Sequence, residues 1–134
     1  MNRRIYQTFI LLDLSHKKLD VYLLSLQLIK EVYKATRMFP KEEHYVLISQ
    51  MRRAAVSVAS NIAEGASRTS KLEKRRFYVI SRSSLVELDT QFELAIKLDY
   101  YTKGQMPELE QCLESTFRML SKMIENINIG PTRH

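Results

Sequence analysis

Glycine and proline occur only six times in these 134 residues, and they fall between long segments of regular apolar spacing. Sheets, hairpins and glycine-rich phosphate loops use turn residues repeatedly, whereas long uninterrupted segments are typical of helices. With 45% apolar residues, the chain can build a core. The sequence therefore predicts one all-α domain over 1–134, with a four-helix core at about 14–128 and an N-terminal extension at 1–13.

Turn residues predict where the first three segments meet. Pro40 closes the first segment and suits the first turn of a second helix, where a proline loses no hydrogen bond. Gly65 is predicted to cap the C-terminal end of that second helix. Ser70 and Glu73 have the S-x-x-E spacing of a capping box, so a third helix should begin there and run to about Tyr101.

A fourth helix should begin at Pro107, just after Gly104, and stop at Gly130. Apolar residues recur at helical spacing in the second, third and fourth segments. The predicted core faces are Leu47, Met51, Ala54, Val58 and Ile62, then Phe77, Ile80, Ser84, Leu88, Phe92 and Ala95, then Leu109, Leu113, Thr116, Leu120, Met123 and Ile127. Because the connections are short, neighbouring helices should run in opposite directions, giving an up-down-up-down bundle.

The first segment is apolar on all sides. Its apolar residues are Leu19, Val21, Tyr22, Leu23, Leu24, Leu26, Leu28, Ile29, Val32 and Tyr33. A helix that is apolar all round needs two partners, and a four-helix monomer would leave one side of it in water. Either another subunit or the N-terminal stretch 5–12 should cover that side. We favour the subunit, which predicts a homo-oligomer.

Charge is unevenly distributed along the chain. Residues 52–82 carry eight basic and two acidic side chains, whereas residues 83–125 carry four basic and eight acidic ones. In an up-down bundle many of the basic residues would gather at one pole: Arg3, Arg4, Lys17, Lys18, Arg68, Lys71, Lys74, Arg75, Arg76, Lys122 and Arg133. The sequence therefore predicts a molecule with one basic side.

Helical spacing places Lys71, Arg75, Tyr78 and Arg82 in one stripe. Such a stripe could follow a phosphate backbone, with the tyrosine stacking on a base. The candidate nucleic-acid contacts are Arg68, Lys71, Lys74, Arg75, Arg76 and Arg82, with Tyr78 as the stacking residue. The alternative is a solvated helix face that only keeps the protein soluble.

The second helix also carries a polar set, Arg53, Ser57, Ser60, Asn61 and Glu64, among its alanines. Arg53 and Asn61 could hold a phosphate or a partner carboxylate. The other interpretation, which we prefer, is a structural network, because polar groups among so many alanines need local partners.

Residue types for catalysis are not grouped in the sequence. His16, His44 and His134 lie in different regions and are predicted to be surface histidines, with no zinc, di-iron or Ser-His-Asp pattern. Cys112 is predicted to be a buried, inert thiol. The lone cysteine, the lack of a signal peptide and the lack of an apolar run long enough to cross a bilayer predict a cytoplasmic location. The lack of catalytic and metal-site patterns predicts that the protein is not an enzyme and needs no metal or cofactor.

Three stretches carry a resemblance: Phe39-Pro40-Lys41-Glu42-Glu43, Gln50-Met51-Arg52-Arg53-Ala54-Ala55 and Ser60-Asn61-Ile62-Ala63-Glu64-Gly65. They closely resemble the four-helix-bundle proteins encoded in intervening sequences of bacterial large-subunit ribosomal RNA. The resemblance continues through Arg76-Phe77 and 80–88, where Ser83 replaces the glycine usual in the family, and it covers roughly residues 17–127.

This resemblance implies a barrel-like homopentamer of antiparallel four-helix bundles. The family includes relatives of the accessory variability determinant of diversity-generating retroelements, a pentamer that binds nucleic acid and a reverse transcriptase. The family's signature positions fall on Arg52, Arg53, Asn61 and Glu64, which we expect to be structural.

Together these features predict a non-enzymatic homo-oligomer that binds RNA or DNA through phosphates. The alternative is an accessory scaffold that recruits a protein partner such as a reverse transcriptase.

Overall fold

The computed structural model describes residues 11–128. Within this range the protein is all-α, with four α-helices and no strands: α1 (Asp20–Thr36), α2 (Leu47–Ser67), α3 (Lys71–Lys97) and α4 (Pro107–Asn126). Short 3-10 helices at Ser15–Lys18 and Lys41–Glu43 precede α1 and α2. The predicted fold class and number of helices are confirmed for this range. None of these helices is both long enough and apolar enough to cross a membrane.

Each helix packs against two others. α1 and α3 both contact α2 and α4, and the α2–α3 contact is the most extensive. Each helix contributes a fully buried residue to the centre, namely Leu28, Met51, Leu88 and Leu120. The core therefore lies along the middle of the four helices, as their apolar faces require.

The connection between α1 and α2 differs from the prediction. α1 ends at Thr36, and Pro40 precedes the 3-10 helix Lys41–Glu43 in an extended conformation. α2 begins only at Leu47, so the placement of Pro40 in its first turn is wrong. The acidic residues after Pro40 start one tight turn instead, and the Glu43 carboxylate accepts a hydrogen bond from the hydroxyl of Tyr100.

Gly65 is not a C-cap, because α2 continues through it to Ser67. A Cβ atom at Gly65 would lie 2.7 Å from ring atom Cε1 of Tyr78. The glycine therefore lets α3 approach α2 closely. The Lys74 ammonium meets the end of α2, donating to the carbonyl oxygens of Gly65 and Ala66 at 3.1 and 3.2 Å.

The predicted start of α3 is confirmed, since the Ser70 hydroxyl accepts a hydrogen bond from the Glu73 N–H at 3.2 Å. Its end comes before the predicted Tyr101. Asp99 takes a left-handed conformation with φ 63°, and the Tyr100 N–H donates to the Ala95 carbonyl at 2.8 Å. Aspartate thus supplies the C-terminal turn that usually calls for glycine.

α4 begins at Pro107 as predicted, after a loop in which Gly104 has φ 88°. It ends at Asn126, and the predicted stop at Gly130 lies outside the described residues. The predicted core face is correct at Leu109, Thr116 and Leu120, which are buried.

The buried faces differ from the prediction by about one position in places. In α4, Cys112 and Ile124 are buried while Leu113, Met123 and Ile127 are half-buried. In α3, Tyr78, Ser81 and Leu85 are buried, whereas Ile80 is exposed. In α4, strict alternation of 3 and 4 residues has a period of 3.5, which drifts against the 3.6-residue period of a straight helix over several turns. In α3, the close approach of Tyr78 to Gly65 turns Tyr78 inward in place of Phe77.

Part of the apolar side of α1 is not covered by any other residue of the range 11–128. Leu23 is 51% exposed and Leu26 is 43% exposed. Of the N-terminal stretch 5–12 proposed as a cover, only Leu11 and Leu12 are described, and both are exposed. Among residues 11–128, the apolar side of α1 is therefore open.

Candidate nucleic-acid interface

Six basic residues surround the connection between α2 and α3. Arg68 directly follows α2, and the others lie on the first half of α3: Lys71, Lys74, Arg75, Arg76 and Arg82. The free N–H groups of the first turn of α3 add positive potential at the same place. This group is called the basic surface below.

Two arginines of the basic surface flank one aromatic ring. The guanidinium carbons of Arg68 and Arg76 lie 4.6 and 5.9 Å from the centre of the Phe77 ring. Each also forms an ion pair, Arg68 with Glu64 at 2.8 Å and Arg76 with Glu73 at 3.5 Å. All four charged side chains are at least 41% exposed. Exposed pairs of this kind stabilise little, so a phosphate can replace the carboxylates at small cost.

Lys71 and Arg75 are the unoccupied cations of the basic surface. Lys71 is exposed and Arg75 is half-buried, and neither side chain forms a hydrogen bond or ion pair within residues 11–128. Their charges are therefore available to a phosphate without breaking an internal contact.

Lys74 and Arg82 serve the fold as well. Lys74 binds the last carbonyls of α2, and the Arg82 guanidinium donates to the Ser121 hydroxyl of α4 at 3.3 Å. Reversing the charge at Lys74 would place a carboxylate beside the carbonyl ends of a helix, which is unfavourable. Lys71 is therefore a cleaner position than Lys74 for testing the surface.

The predicted stacking role of Tyr78 is wrong. Its side chain is only 4% exposed, its ring packs over Gly65, and burial raises the pKa of its hydroxyl. The half-buried Phe77 is the aromatic residue that lies among the arginines. The sequence contains one signal that Tyr78 is buried, namely Gly65, because a glycine inside a helix leaves room for a large side chain from the neighbouring helix.

Arg52 holds the end of α1 against α2. Its Nε donates to the Thr36 hydroxyl at 3.0 Å and Nη2 donates to the Tyr33 carbonyl at 3.4 Å. Its guanidinium also lies 4.3 Å from the centre of the Tyr33 ring. These contacts are those of a structural residue. The adjacent Arg53 is exposed and forms no such contact.

Asn61 belongs to a polar network between α2 and α3. Its side-chain amide donates to the carbonyl and the hydroxyl oxygens of Ser57 at 2.9 and 3.0 Å. The Ser57 and Ser84 hydroxyls are hydrogen-bonded at 2.9 Å across the helix pair. Asn61 and Arg53 are not brought together, which favours the structural interpretation of Asn61. Ser60 is exposed, and Glu64 pairs with Arg68.

Within residues 11–128, no group of three histidine, cysteine, aspartate or glutamate side chains is placed to hold a metal ion. His16 is 9% exposed and packs edge-on against Tyr22, so its prediction as a surface histidine is wrong. His44 is exposed, and His134 lies outside the described residues, as do Arg3, Arg4 and Arg133.

Burial raises the pKa of the Cys112 thiol, and the Glu31 carboxylate raises it further. A thiol in this environment is a poor nucleophile.

Two cavities lie away from the basic surface. A groove of about 630 Å³ runs between α3 and α4. Its apolar side chains include Phe92 and Phe117. Its charged side chains are four acidic ones and one lysine, so its net charge is negative: Asp89, Glu93, Glu110, Glu114 and Lys103. The second cavity, of about 470 Å³, lies between the end of α1 and the start of α2.

Comparison with curated proteins finds no match to this chain. Comparison with protein families matches residues 17–122 to the family described as 23S rRNA-intervening sequence protein. The match covers most of the chain, includes all of α1, α2 and α3, and agrees with the resemblance carried by residues 39–65. The chain therefore belongs to the 23S rRNA-intervening sequence protein family.

Proposed function

We propose that this protein is a non-enzymatic, cytoplasmic nucleic-acid-binding protein that contacts phosphates of RNA or DNA through the basic surface. The observation that carries the proposal is the separation of charge on the molecule. Six basic residues lie within 68–82 with Glu73 as the one acidic residue in that range, while eight acidic residues lie within 83–125. A polyanion is attracted to one region of such a molecule and repelled by another, which orients it.

The internal contacts of the basic side chains support phosphate binding over a surface that only keeps the protein soluble. The side chains of Lys71 and Arg75 have no partner in the part of the chain that the structure describes, and the two exposed ion pairs can open. Phe77 holds the guanidinium groups of Arg68 and Arg76 over its ring, which limits the freedom that they would lose on binding. The surface offers charge at a low cost in conformational entropy.

Charge reversal at both unoccupied cations tests the proposal. We expect Lys71→Glu with Arg75→Glu to weaken binding to RNA and DNA duplexes, because two phosphate contacts are replaced by repulsion. Fluorescence anisotropy between about 50 and 200 mM salt should show a shallower dependence of log affinity on log salt, lower by about 0.9 for each lost contact.

The matched control reverses two basic residues outside the surface, Lys97→Glu with Arg118→Glu, which changes net charge equally. This control should retain most of the affinity at 200 mM salt. Equal loss in both double variants would show that only net charge matters, and the basic surface would not be the site. Circular dichroism checks that all variants stay helical.

We also propose that the bundle is up-down-up-down. Contacts between α2 and α3 support it, because they run in opposite directions along the two helices: Gly65 with Tyr78, Val58 with Ser81, and Ser57 with Ser84. In this arrangement the basic surface lies at the pole shared with the end of α4, where Arg82 contacts Ser121.

We propose further that the protein is a homo-oligomer, and the family resemblance implies a pentamer. Leu23 and Leu26 are exposed on α1, about two turns and one turn before the exposed Lys30. This face is apolar and basic, whereas the groove between α3 and α4 is apolar and acidic. Two different complementary surfaces on one chain favour head-to-tail contacts, which are the kind of contact that a cyclic pentamer uses.

Introducing charge on the open side of α1 tests assembly. We expect Leu23→Glu with Leu26→Glu to lower the mass measured by light scattering to that of smaller species, while circular dichroism remains helical, because carboxylates would then face the acidic groove. Leu72→Glu is the control, since Leu72 is 63% exposed on α3. An unchanged mass in the double variant would exclude this face as the contact.

The second candidate function is a scaffold that recruits a protein partner such as a reverse transcriptase. The acidic groove between α3 and α4 favours it, because Val86 and Phe117 beside the groove are 53% and 42% exposed. Such a surface suits a basic, amphipathic helix of a partner. Absence of nucleic-acid binding at low salt would support this candidate over the first.

A further inference from the structure

The smaller cavity combines aromatic and cationic side chains at the opposite end of α2 from the basic surface. It is lined by Tyr33, His44, Tyr45, Ile48, Arg52 and Arg53, together with Ser49 and Val56. Arg53 lies 15 residues before Arg68, a distance of about 22 Å along a helix. The cavity is therefore a separate feature and not an extension of the basic surface.

One wall of the cavity is held in place. Arg52 lies over the Tyr33 ring and is fixed by its hydrogen bonds to the Thr36 hydroxyl and the Tyr33 carbonyl. The next residue, Arg53, reaches the same cavity, and its side chain has no hydrogen-bond or ion-pair partner among residues 11–128. One guanidinium is thus committed to the fold and the other is available to a ligand.

The other wall is an exposed aromatic pair. Tyr45 is 89% exposed, and the His44 ring meets it edge-on with the ring centres 4.8 Å apart. The histidine limits the positions open to the tyrosine ring, while one or both ring faces stay open to solvent. An aromatic ring face left this open can stack on a planar ring of a ligand.

Charge narrows the class of ligand. The residues that line the cavity include two arginines and one histidine but no aspartate or glutamate. An acid-free site with a free guanidinium favours an anion, and an adjacent open aromatic face favours a planar ring. A nucleotide carries both groups at a short separation.

We propose that this cavity binds an unpaired nucleotide of a single-stranded nucleic acid, with the base stacked on Tyr45 and the phosphate at Arg53. This inference rests on the proposed nucleic-acid binding and adds a second, strand-selective site to it. Bases in a duplex are stacked on each other and cannot reach a side-chain ring, so duplexes should use only the basic surface.

Paired variants test the two parts of the site. With a labelled oligouridylate of about 12 nucleotides, Tyr45→Ala should weaken binding roughly 5- to 150-fold, the range found for removing one stacked base. Tyr45→Phe keeps the ring and should bind normally. Arg53→Gln should weaken binding and make it less dependent on salt, whereas Arg53→Lys should retain most of the affinity. Binding of a duplex of equal length should not change in any of them.

Photo-crosslinking locates the contact directly. With 4-thiouridine in the oligonucleotide, trypsin cleavage after Lys41 and Arg52 should leave the crosslink on the peptide 42–52, which contains His44 and Tyr45. Crosslinks confined to peptides of 69–82 would overturn the inference.

The outcomes also separate this inference from the proposed function. If duplex binding persists but Tyr45→Ala has no effect on single strands, the cavity is not a nucleotide site and only this inference fails. If no nucleic acid binds at low salt, the proposed function fails as well. A change in oligomer mass caused by Tyr45→Ala would identify the cavity as a subunit contact and overturn the inference.

Discussion

Replacing Leu88 by alanine is expected to lower the free energy of unfolding by about 2–5 kcal/mol. Leu88 lies near the middle of α3 and is fully buried, so the substitution removes apolar contacts and leaves a cavity in a close-packed core. Thermal unfolding followed by circular dichroism should show a decrease in Tm of roughly 7–18 °C. Protein concentration must be held constant, because assembly would stabilise the folded subunit.

The control is the same substitution on the same helix. Leu72 is 63% exposed in the first turn of α3, so Leu72→Ala should change the free energy of unfolding by less than about 0.5 kcal/mol. Similar effects of Leu72→Ala and Leu88→Ala would mean that the face of α3 assigned here to the core is wrong.

Adding one methyl group at Gly65 should also destabilise the protein, by about 1–3 kcal/mol. Alanine favours a helix over glycine, so intrinsic propensity alone predicts the opposite sign. The new Cβ would lie 2.7 and 2.9 Å from two ring atoms of Tyr78, and this ring is buried and cannot easily move away. Urea unfolding of Gly65→Ala measures which effect dominates.

A double-mutant cycle identifies the cause. Tyr78→Val removes the ring that the new methyl group would meet, so Gly65→Ala should cost much less in the Tyr78→Val background than in the wild type. Equal costs in both backgrounds would show that the close approach of Gly65 and Tyr78 is not responsible. Ser60→Ala on the exposed side of α2 is a further control with little expected effect.

The basic surface could be predicted from the sequence in part. Its charges are adjacent along the chain, so the list of basic residues needed no tertiary information. The role of each residue did, because the partners of Lys74 and Arg82 are carbonyls and a hydroxyl on other helices. The position of Tyr78 could not be predicted for the same reason. Helical spacing places it in the basic stripe, but its ring packs against Gly65 of α2, so it faces the core.

The cavity with Tyr45 and Arg53 was not predicted, because no single segment of the sequence contains the pattern of its lining residues. It forms where the end of α1, the connection and the start of α2 meet, so its residues are spread over 33–56. The family signature included Arg52 and Arg53 as a pair, yet the two side chains differ. The Arg52 guanidinium contacts Tyr33 and Thr36 of the neighbouring helix, whereas the Arg53 guanidinium has no partner within residues 11–128. This difference depends on the position of α1 and could not be read from the pair of arginines.

Residue order alone predicts the all-α class, the four helices, the capping of α3 by Ser70 and the start of α4 at Pro107. These features follow from local rules, since apolar period, capping side chains and proline geometry act within a few residues. Packing between the helices was needed to establish the register of the buried faces, the role of Gly65 and the turn at Asp99. Each of these depends on contacts between residues that are distant in sequence or on competition between local conformations, which packing resolves.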